Sequence, residues 1–457
     1  MHKQTPFIIA LLIVVSLISR LNSFHKEHPF TLDEYLYVQL GMQLCDDISS
    51  YSTAPLCDDL AKKGFFIPEY FRRPLFKHPP LFSLLISLSY RMFDRQVLAA
   101  FLIPLFFGVG LIGLAYLLGN GLFGRQTGLF AAALMAIEPI DWVCSGKIWM
   151  ETTLAFFTVL ALCLFVQALK KDDACYMIAS GFSAGCAALT KYPGILATVI
   201  IALYACLWER QLFKKKSFLV SLVIPAFMLA PWFLWNWQAY GGFHVVDFFQ
   251  MHRIAYRLQG MFAGWWMWGA TGAMVTTVFY VPYFKTIAGR KTVLAGILLL
   301  FFLYFHHSLF ATFSPLHCPE TGWLRNMFIN EPWHFYIRRL IELSPFYLFA
   351  FLSIALLNVD ADHWKEYAFL FLSTGIILVF YIWWRNYQSR YILALAVPMM
   401  VLAAQFLSVV AARIQAIPSR GLRCAAFSCY GFIVLYAAAK TLYIDLVFAV
   451  PNTMCYF

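Results

Sequence analysis

Residues 96–118 read QVLAAFLIPLFFGVGLIGLAYLL, an uncharged run closed on its N-terminal side by Asp94 and Arg95. A helix needs about 20 mostly apolar residues to cross the roughly 30 Å hydrocarbon core of a bilayer, and this run has that length. Runs of the same kind recur along all 457 residues, near 6–22, 128–144, 152–169, 174–190, 194–208, 217–238, 265–284, 292–310, 341–357, 366–384, 391–411 and 422–446. With 96–118 they make about thirteen expected spans. The composition agrees, with 61% hydrophobic and 12% charged residues, against about 45–50% and about 25% in a soluble domain. This excludes a disordered chain, a collagen, an ordinary cytosolic enzyme and a protein held by one anchor. The expected fold class is an all-α integral membrane bundle of about 13 transmembrane helices.

Orientation follows from the cations. The first apolar segment comes after Lys3 and has no small-residue cleavage site behind it, so it reads as an uncleaved signal anchor with its N-terminus inside. The inner turns then carry Arg125, Lys170-Lys171, Arg210 with Lys214 to Lys216, Lys285 with Arg290-Lys291, and Arg413 with Arg420 and Arg423. Short basic loops belong on the inner side. The outer side holds a long loop, 23–95, and two medium loops, 239–264 and 311–340. These loops are cationic too, with Lys62, Lys63, Arg72, Arg73, Lys77, Arg253, Arg257, Arg325, Arg338 and Arg339. Either long loops simply escape the inside rule, or this surface holds an anionic headgroup. Segment 79–93 starts at Pro79-Pro80, is closed by Arg91, and is short for a span; it reads as a helix lying at the interface. The net charge of +11 reflects these loops rather than nucleic-acid binding, since no basic block exceeds Lys214 to Lys216.

The eleven cysteines are scattered, most of them within apolar runs. Cys45 and Cys57 lie in the polar first loop and can form a disulfide if that loop is extracytoplasmic. There is no zinc spacing, and His306-His307 lacks a partner acid at ligand spacing. Neither a metal nor a cofactor is expected.

Several constellations combine charge with special backbone. In Thr31-Leu32-Asp33-Glu34-Tyr35, Thr31 can cap a helix whose first turn carries both acids. Capping explains the acids; it does not explain the apolar residues behind them, which suit a helix lying on the membrane surface. There a carboxylate can act as general base toward a hydroxyl. Lys77-His78-Pro79-Pro80 fixes the start of a helix and would hold Lys77 and His78 at the interface; a plain helix start with a snorkelling lysine reads equally. Glu151 opens the span after the outer turn Glu138 to Lys147, where it either caps or carries a function. Arg385 to Arg390 with Tyr391 precede a late span.

Taken in order, these stretches resemble the polytopic GT-C-type glycosyltransferases that use lipid-phosphate sugar donors. The similarity is to the protein O-mannosyltransferase and lipid A aminoarabinose transferase group. TLDEYLY, KHPPLFSLL, KIWMETTLAFF, GFSAGCAALTKYPG, PWFLWN and SRYILALAVP carry it. It covers roughly 6–240, so residues 1–240 are expected to form the catalytic module and 241–457 further spans without a separate soluble domain. The resemblance implies that Asp33 is the base on the acceptor, with Glu34 its neighbour. It implies donor contacts from Lys77 and His78, from Glu151 (where the family usually has Asp), and from Arg390 and Tyr391, with Arg338 and Arg339 as helpers. The implied activity is an inverting transfer of a sugar from a polyprenyl-phosphate donor to a hydroxyl acceptor (glycan, lipid or protein) at the outer face of the plasma membrane. The competing readings are a carrier or flippase for a lipid-linked glycan, and a structural membrane subunit. A carrier is expected to place its charges inside the bundle, whereas here most lie at span ends.

Overall fold

The computed structural model describes residues 4–21, 31–49, 51–52, 57–58, 61–62, 64, 78–93, 95–240, 289–315, 317, 334–358, 361–384 and 388–449. Every long regular element among them is helical. The chain divides into two compact units. One comprises Met1–Ser16, Ile112–Trp142 and Ala263–Asn452; the other comprises Leu17–Leu111, Val143–Phe262 and Thr453–Phe457.

The expected runs become helices close to their predicted limits: α1 (Thr5–Leu21), α2 (Leu32–Asp46), α3 (Leu81–Phe93), α4 (Val97–Phe123), α5 (Arg125–Ala136), α6 (Pro139–Ser145), α7 (Glu151–Lys171), α8 (Ala174–Thr190), α9 (Leu196–Trp208), α10 (Lys216–Tyr240), α11 (Gly289–Phe313), α12 (Phe335–Leu343), α13 (Pro345–Leu352), α14 (Trp364–Trp384), α15 (Leu393–Gln415) and α16 (Arg420–Ile444). Six described helices are long and apolar enough to cross a bilayer, or up to eight spans if each bent pair counts as one. The expected span 265–284 and nearly all of loop 239–264 lie outside the described residues.

Two expected spans are bent. The 128–144 run breaks at Ile137–Glu138 into α5 and α6, which meet at 56°. The 341–357 run breaks at Ser344, where α12 turns by 118° into the helix that begins at Pro345. The cause is local in both cases. A proline at the first position of a helix has no N–H to give the preceding turn, so it starts a new helix rather than continuing the old one. Ser344 caps the new start, accepting the Phe346 N–H at 3.2 Å. Part of the expected 311–340 loop is therefore helix, and Arg338 and Arg339 sit on α12.

In the second unit, α7, α8 and α10 pack through small residues, as membrane helices do when backbones approach closely. A Cβ on Gly181 would lie 2.3 Å from the Ser221 carbonyl oxygen. Ser180 and Ser183 of α8 donate to the Ala161 and Phe157 carbonyls of α7 at 2.8 and 2.9 Å. Helix α3 is about 20 Å long at 1.5 Å per residue, short of the hydrocarbon core. It packs on α2, where a Cβ on Gly41 would meet Ile86 at 2.5 Å. Arg91 donates to the Leu44 and Cys45 carbonyls at 3.3 and 3.2 Å, and Arg95 pairs with Asp46, so cations hold the C-terminal end of α2. Cys45 and Cys57 are not joined by a disulfide.

In the first unit, α15 is the central helix, buried along most of Leu393 to Leu407. It packs against α5, α13 and α14. Thr127 of α5 donates to Gln405 at 2.7 Å, satisfying both polar groups within the core. Phe305 and Leu309 of α11 cluster with Ile341 and Leu348.

Candidate functional site

The chemistry-bearing residues of the second unit gather around the start of α2 and the turn 145–151. Thr31 caps α2 in an extended conformation, and a capping box forms: Glu34 N–H reaches Thr31 Oγ1 at 3.4 Å, and Thr31 N–H reaches Glu34 Oε2 at 2.8 Å. The other oxygen of Glu34 accepts the Ile148 N–H at 2.9 Å, and Trp149 Nε1 donates to Thr31 Oγ1 at 3.2 Å. Glu34 and Trp149 are fully buried. The start of α2 is thus locked onto a turn more than a hundred residues away in sequence. Asp33 is on the same first turn but half-buried, so it faces partly outward where Glu34 faces in. A fixed carboxylate with an accessible side is what a base needs; Glu34 spends both oxygens on backbone.

His78 is buried and meets Tyr37 of α2 edge-on, with ring centroids 5.4 Å apart. Its carbonyl accepts from the Tyr51 hydroxyl at 2.9 Å. Lys77 lies outside the described residues. Glu151, the first residue of α7, is 3% exposed and accepts from Lys191 Nζ at 2.9 Å. Its negative charge also sits at the positive end of the helix dipole. Next to Lys191, Tyr192 accepts from Trp232 Nε1 at 3.0 Å, and Trp232 stacks on Trp235 with centroids 5.3 Å apart. Burial pushes the Tyr51 and Tyr192 phenols well above their ordinary values, so both stay neutral hydrogen-bonding groups.

The first unit brings the late arginines onto neighbouring segments. Arg338 and Arg339 on α12 share Glu342 at 3.7 and 3.5 Å, and Ser308 also donates to Glu342 at 3.1 Å. The turn Ser389–Ile392 lies against α12, where the Gln388 N–H reaches the Tyr336 hydroxyl at 3.3 Å. Arg390 is 5% exposed, donates from Nε to Gln388 Oε1 at 2.6 Å, and lies 5.3 Å from the Tyr391 ring centroid. Tyr391 stacks on Tyr381.

Other members carry no site role on sequence grounds. Arg20 and Lys147 are fully buried, and Arg20 donates to Ser145 Oγ at 3.3 Å. Glu138, also buried, accepts from the Tyr347 hydroxyl at 2.5 Å and the Asp141 N–H at 2.6 Å. Lys191 had a legible signal, since it directly follows a helix end and precedes Tyr-Pro-Gly. Tyr347 had none. Among the described residues, no three His, Cys, Asp or Glu side chains come together at metal-ligand spacing.

Residues 77–235 match the family model described as dolichyl-phosphate-mannose-protein mannosyltransferase. No curated protein sequence matches the chain. Among solved structures, ArnT from Cupriavidus metallidurans, crystallised with undecaprenyl phosphate, is similar at a TM-score of 0.56 and 13% identity, covering 97% of this chain and 76% of that one. The Archaeoglobus fulgidus oligosaccharyltransferase tethered to an acceptor peptide is similar at 0.58 and 15% identity, covering 99% of this chain and 56% of that one. Archaeal AglB from the same organism, in complex with an inhibitory peptide and a dolichol-phosphate, gives 0.55 and 18%, with 99% and 56% covered. The family model thus matches about a third of the chain, and over nearly its whole length the chain shares the fold of ArnT and of the archaeal oligosaccharyltransferase.

Proposed function

We propose that this protein transfers a sugar from a polyprenyl-phosphate-linked donor to a hydroxyl acceptor at the outer face of the membrane, with inversion at the sugar carbon. The observation that carries the proposal is the α2 start. Its two adjacent carboxylates are split into a fully buried one bonded to backbone and a half-buried one held in a fixed place beside it. Asp33 takes the proton of the acceptor hydroxyl as that oxygen attacks the sugar carbon, a step that contributes about 10²–10⁴-fold. The bond from carbon to phosphate oxygen breaks through an oxocarbenium-like state, and the polyprenyl phosphate leaves with the bonding electrons. Arg390, helped by Arg338 and Arg339, binds the phosphate; guanidinium groups suit this through paired hydrogen bonds. Lys77, His78 and Tyr391 complete the donor contacts, with Glu151 on the sugar rather than on the phosphate. Cations suffice to neutralise a single phosphate. The catalytic module is assigned to residues 1–240.

The test compares cell-envelope glycans by mass spectrometry in cells carrying the wild-type gene, no gene, or Asp33→Asn. The proposal expects a glycan to lose one sugar in the last two. A carrier expects Asp33→Asn to behave as wild type. A glycan profile that is unchanged without the gene removes the proposal.

A further inference from the structure

We infer that Lys191 is a shared cation. Glu151 holds it in the resting protein, and the phosphate of the lipid donor takes it over, most strongly as the leaving group gains charge. This rests on the glycosyltransferase reading above and adds to it a residue outside the donor set named there.

The mount of Lys191 is rigid. Helix α8 ends at Thr190, and Lys191 is extended at φ −157° and ψ 138°. Its N–H donates to Ala187 O at 3.0 Å, and its carbonyl accepts the Gly194 N–H at 2.8 Å. Gly194 is required there, because a Cβ would lie 2.1 Å from the Ala187 carbonyl carbon. On the other side, Tyr192 is fixed by the Trp232 hydrogen bond and by stacking on Phe233 at 14°. The backbone cannot shift, so adjustment is left to the four-carbon side chain.

The pair itself is asymmetric. The side chain of Lys191 is 17% exposed and that of Glu151 is 3% exposed, so the lysine is the more accessible member of the pair. An ammonium carries three donors and can hold a carboxylate oxygen and a phosphate oxygen together. Glu151 keeps the helix N-terminus as a second source of stabilisation when Lys191 turns toward a ligand. A polyprenyl phosphate released by transfer carries more negative charge than the diester donor, so a preplaced ammonium binds it more strongly as the reaction proceeds. A purely structural ion pair makes a different prediction, because it then serves only to join α7 to α8.

The experiment uses the purified full chain in lipid nanodiscs, titrated with undecaprenyl phosphate and, separately, with undecaprenol. Lys191→Gln should weaken undecaprenyl phosphate binding by about 10- to 150-fold, the loss of one charge-assisted hydrogen bond. Lys191→Arg should stay within a few-fold of wild type, and undecaprenol binding should not respond to either change. Glu151→Gln removes the competing carboxylate and should tighten undecaprenyl phosphate binding. A structural pair cannot give these opposite signs. Equal binding by wild type and Lys191→Gln overturns the inference, as does a Glu151→Gln variant that binds as weakly as Lys191→Gln. If Lys191→Gln fails to fold, the sign of the Glu151→Gln effect decides alone. Failure of the wild type to bind undecaprenyl phosphate counts instead against the donor assignment.

Discussion

Replacing Glu34 by glutamine tests whether this acid is structural. Its Oε2 accepts the Thr31 N–H at 2.8 Å and its Oε1 accepts the Ile148 N–H at 2.9 Å, in a fully buried setting. An amide retains one acceptor oxygen but turns an NH₂ group toward the other backbone N–H, so one hydrogen bond becomes a contact between two donors. A hydrogen bond to a charged group contributes about 1.5–3 kcal/mol. Losing one outright and the charge on the other gives roughly 2–4 kcal/mol, or about 30- to 900-fold in a local opening equilibrium. Amide exchange read by mass spectrometry on peptides from residues 32–46 should show this loss of protection. The C-terminal end of α2, held by Arg91 and Arg95, should respond less than the N-terminal end. Asp33→Asn serves as the control, with wild-type exchange. Wild-type protection in Glu34→Gln together with abolished turnover would refute the reasoning and make Glu34 the chemical group.

Arg390→Ala should raise the Michaelis constant for the lipid donor by about 10- to 150-fold with the fold intact, the loss of a charge-assisted contact; an unchanged constant removes Arg390 from the donor site. A reporter fused after residue 60 should behave as extracytoplasmic and one after Lys215 as cytoplasmic, and the reverse pattern would sink the outer-face assignment. Gly181→Val should lower stability in detergent by about 1–3 kcal/mol or more, because a Cβ would meet the Ser221 carbonyl oxygen at 2.3 Å; a neutral effect would show that α8 and α10 do not approach so closely.

The membrane helices were legible because burial in lipid demands long apolar runs, and these set their own limits; α8 begins and ends at the residues expected. The capping of α2 was legible as well, since Thr31 to Glu34 is a local pattern four residues long. The two bends were written in Pro139 and Pro345, but an apolar count passes over a single proline. What stayed hidden depends on distant partners. Nothing local distinguishes Asp33 from Glu34, and only the turn at Ile148, 114 residues on, decides which one is buried. Nothing local shows that Lys147, in an outer turn, and Arg20, in the first apolar segment, are both fully buried. Glu138 meets Tyr347 across 209 residues, a pairing that no periodicity reports. The extra methylene of Glu151 looked like a departure from the family pattern; in the fold Glu151 meets Lys191.

The central claim is transfer chemistry based on Asp33. Its most direct test is single-turnover kinetics of the purified protein in proteoliposomes, using a labelled polyprenyl-phosphate sugar extracted from the source cells and following both labelled product and free polyprenyl phosphate. The account predicts that the two appear together in equal amounts. It also predicts that Asp33→Asn slows both by about 10²-fold or more while donor binding stays near wild type. Movement of intact donor across the bilayer with no polyprenyl phosphate released, or full turnover in Asp33→Asn, would contradict it.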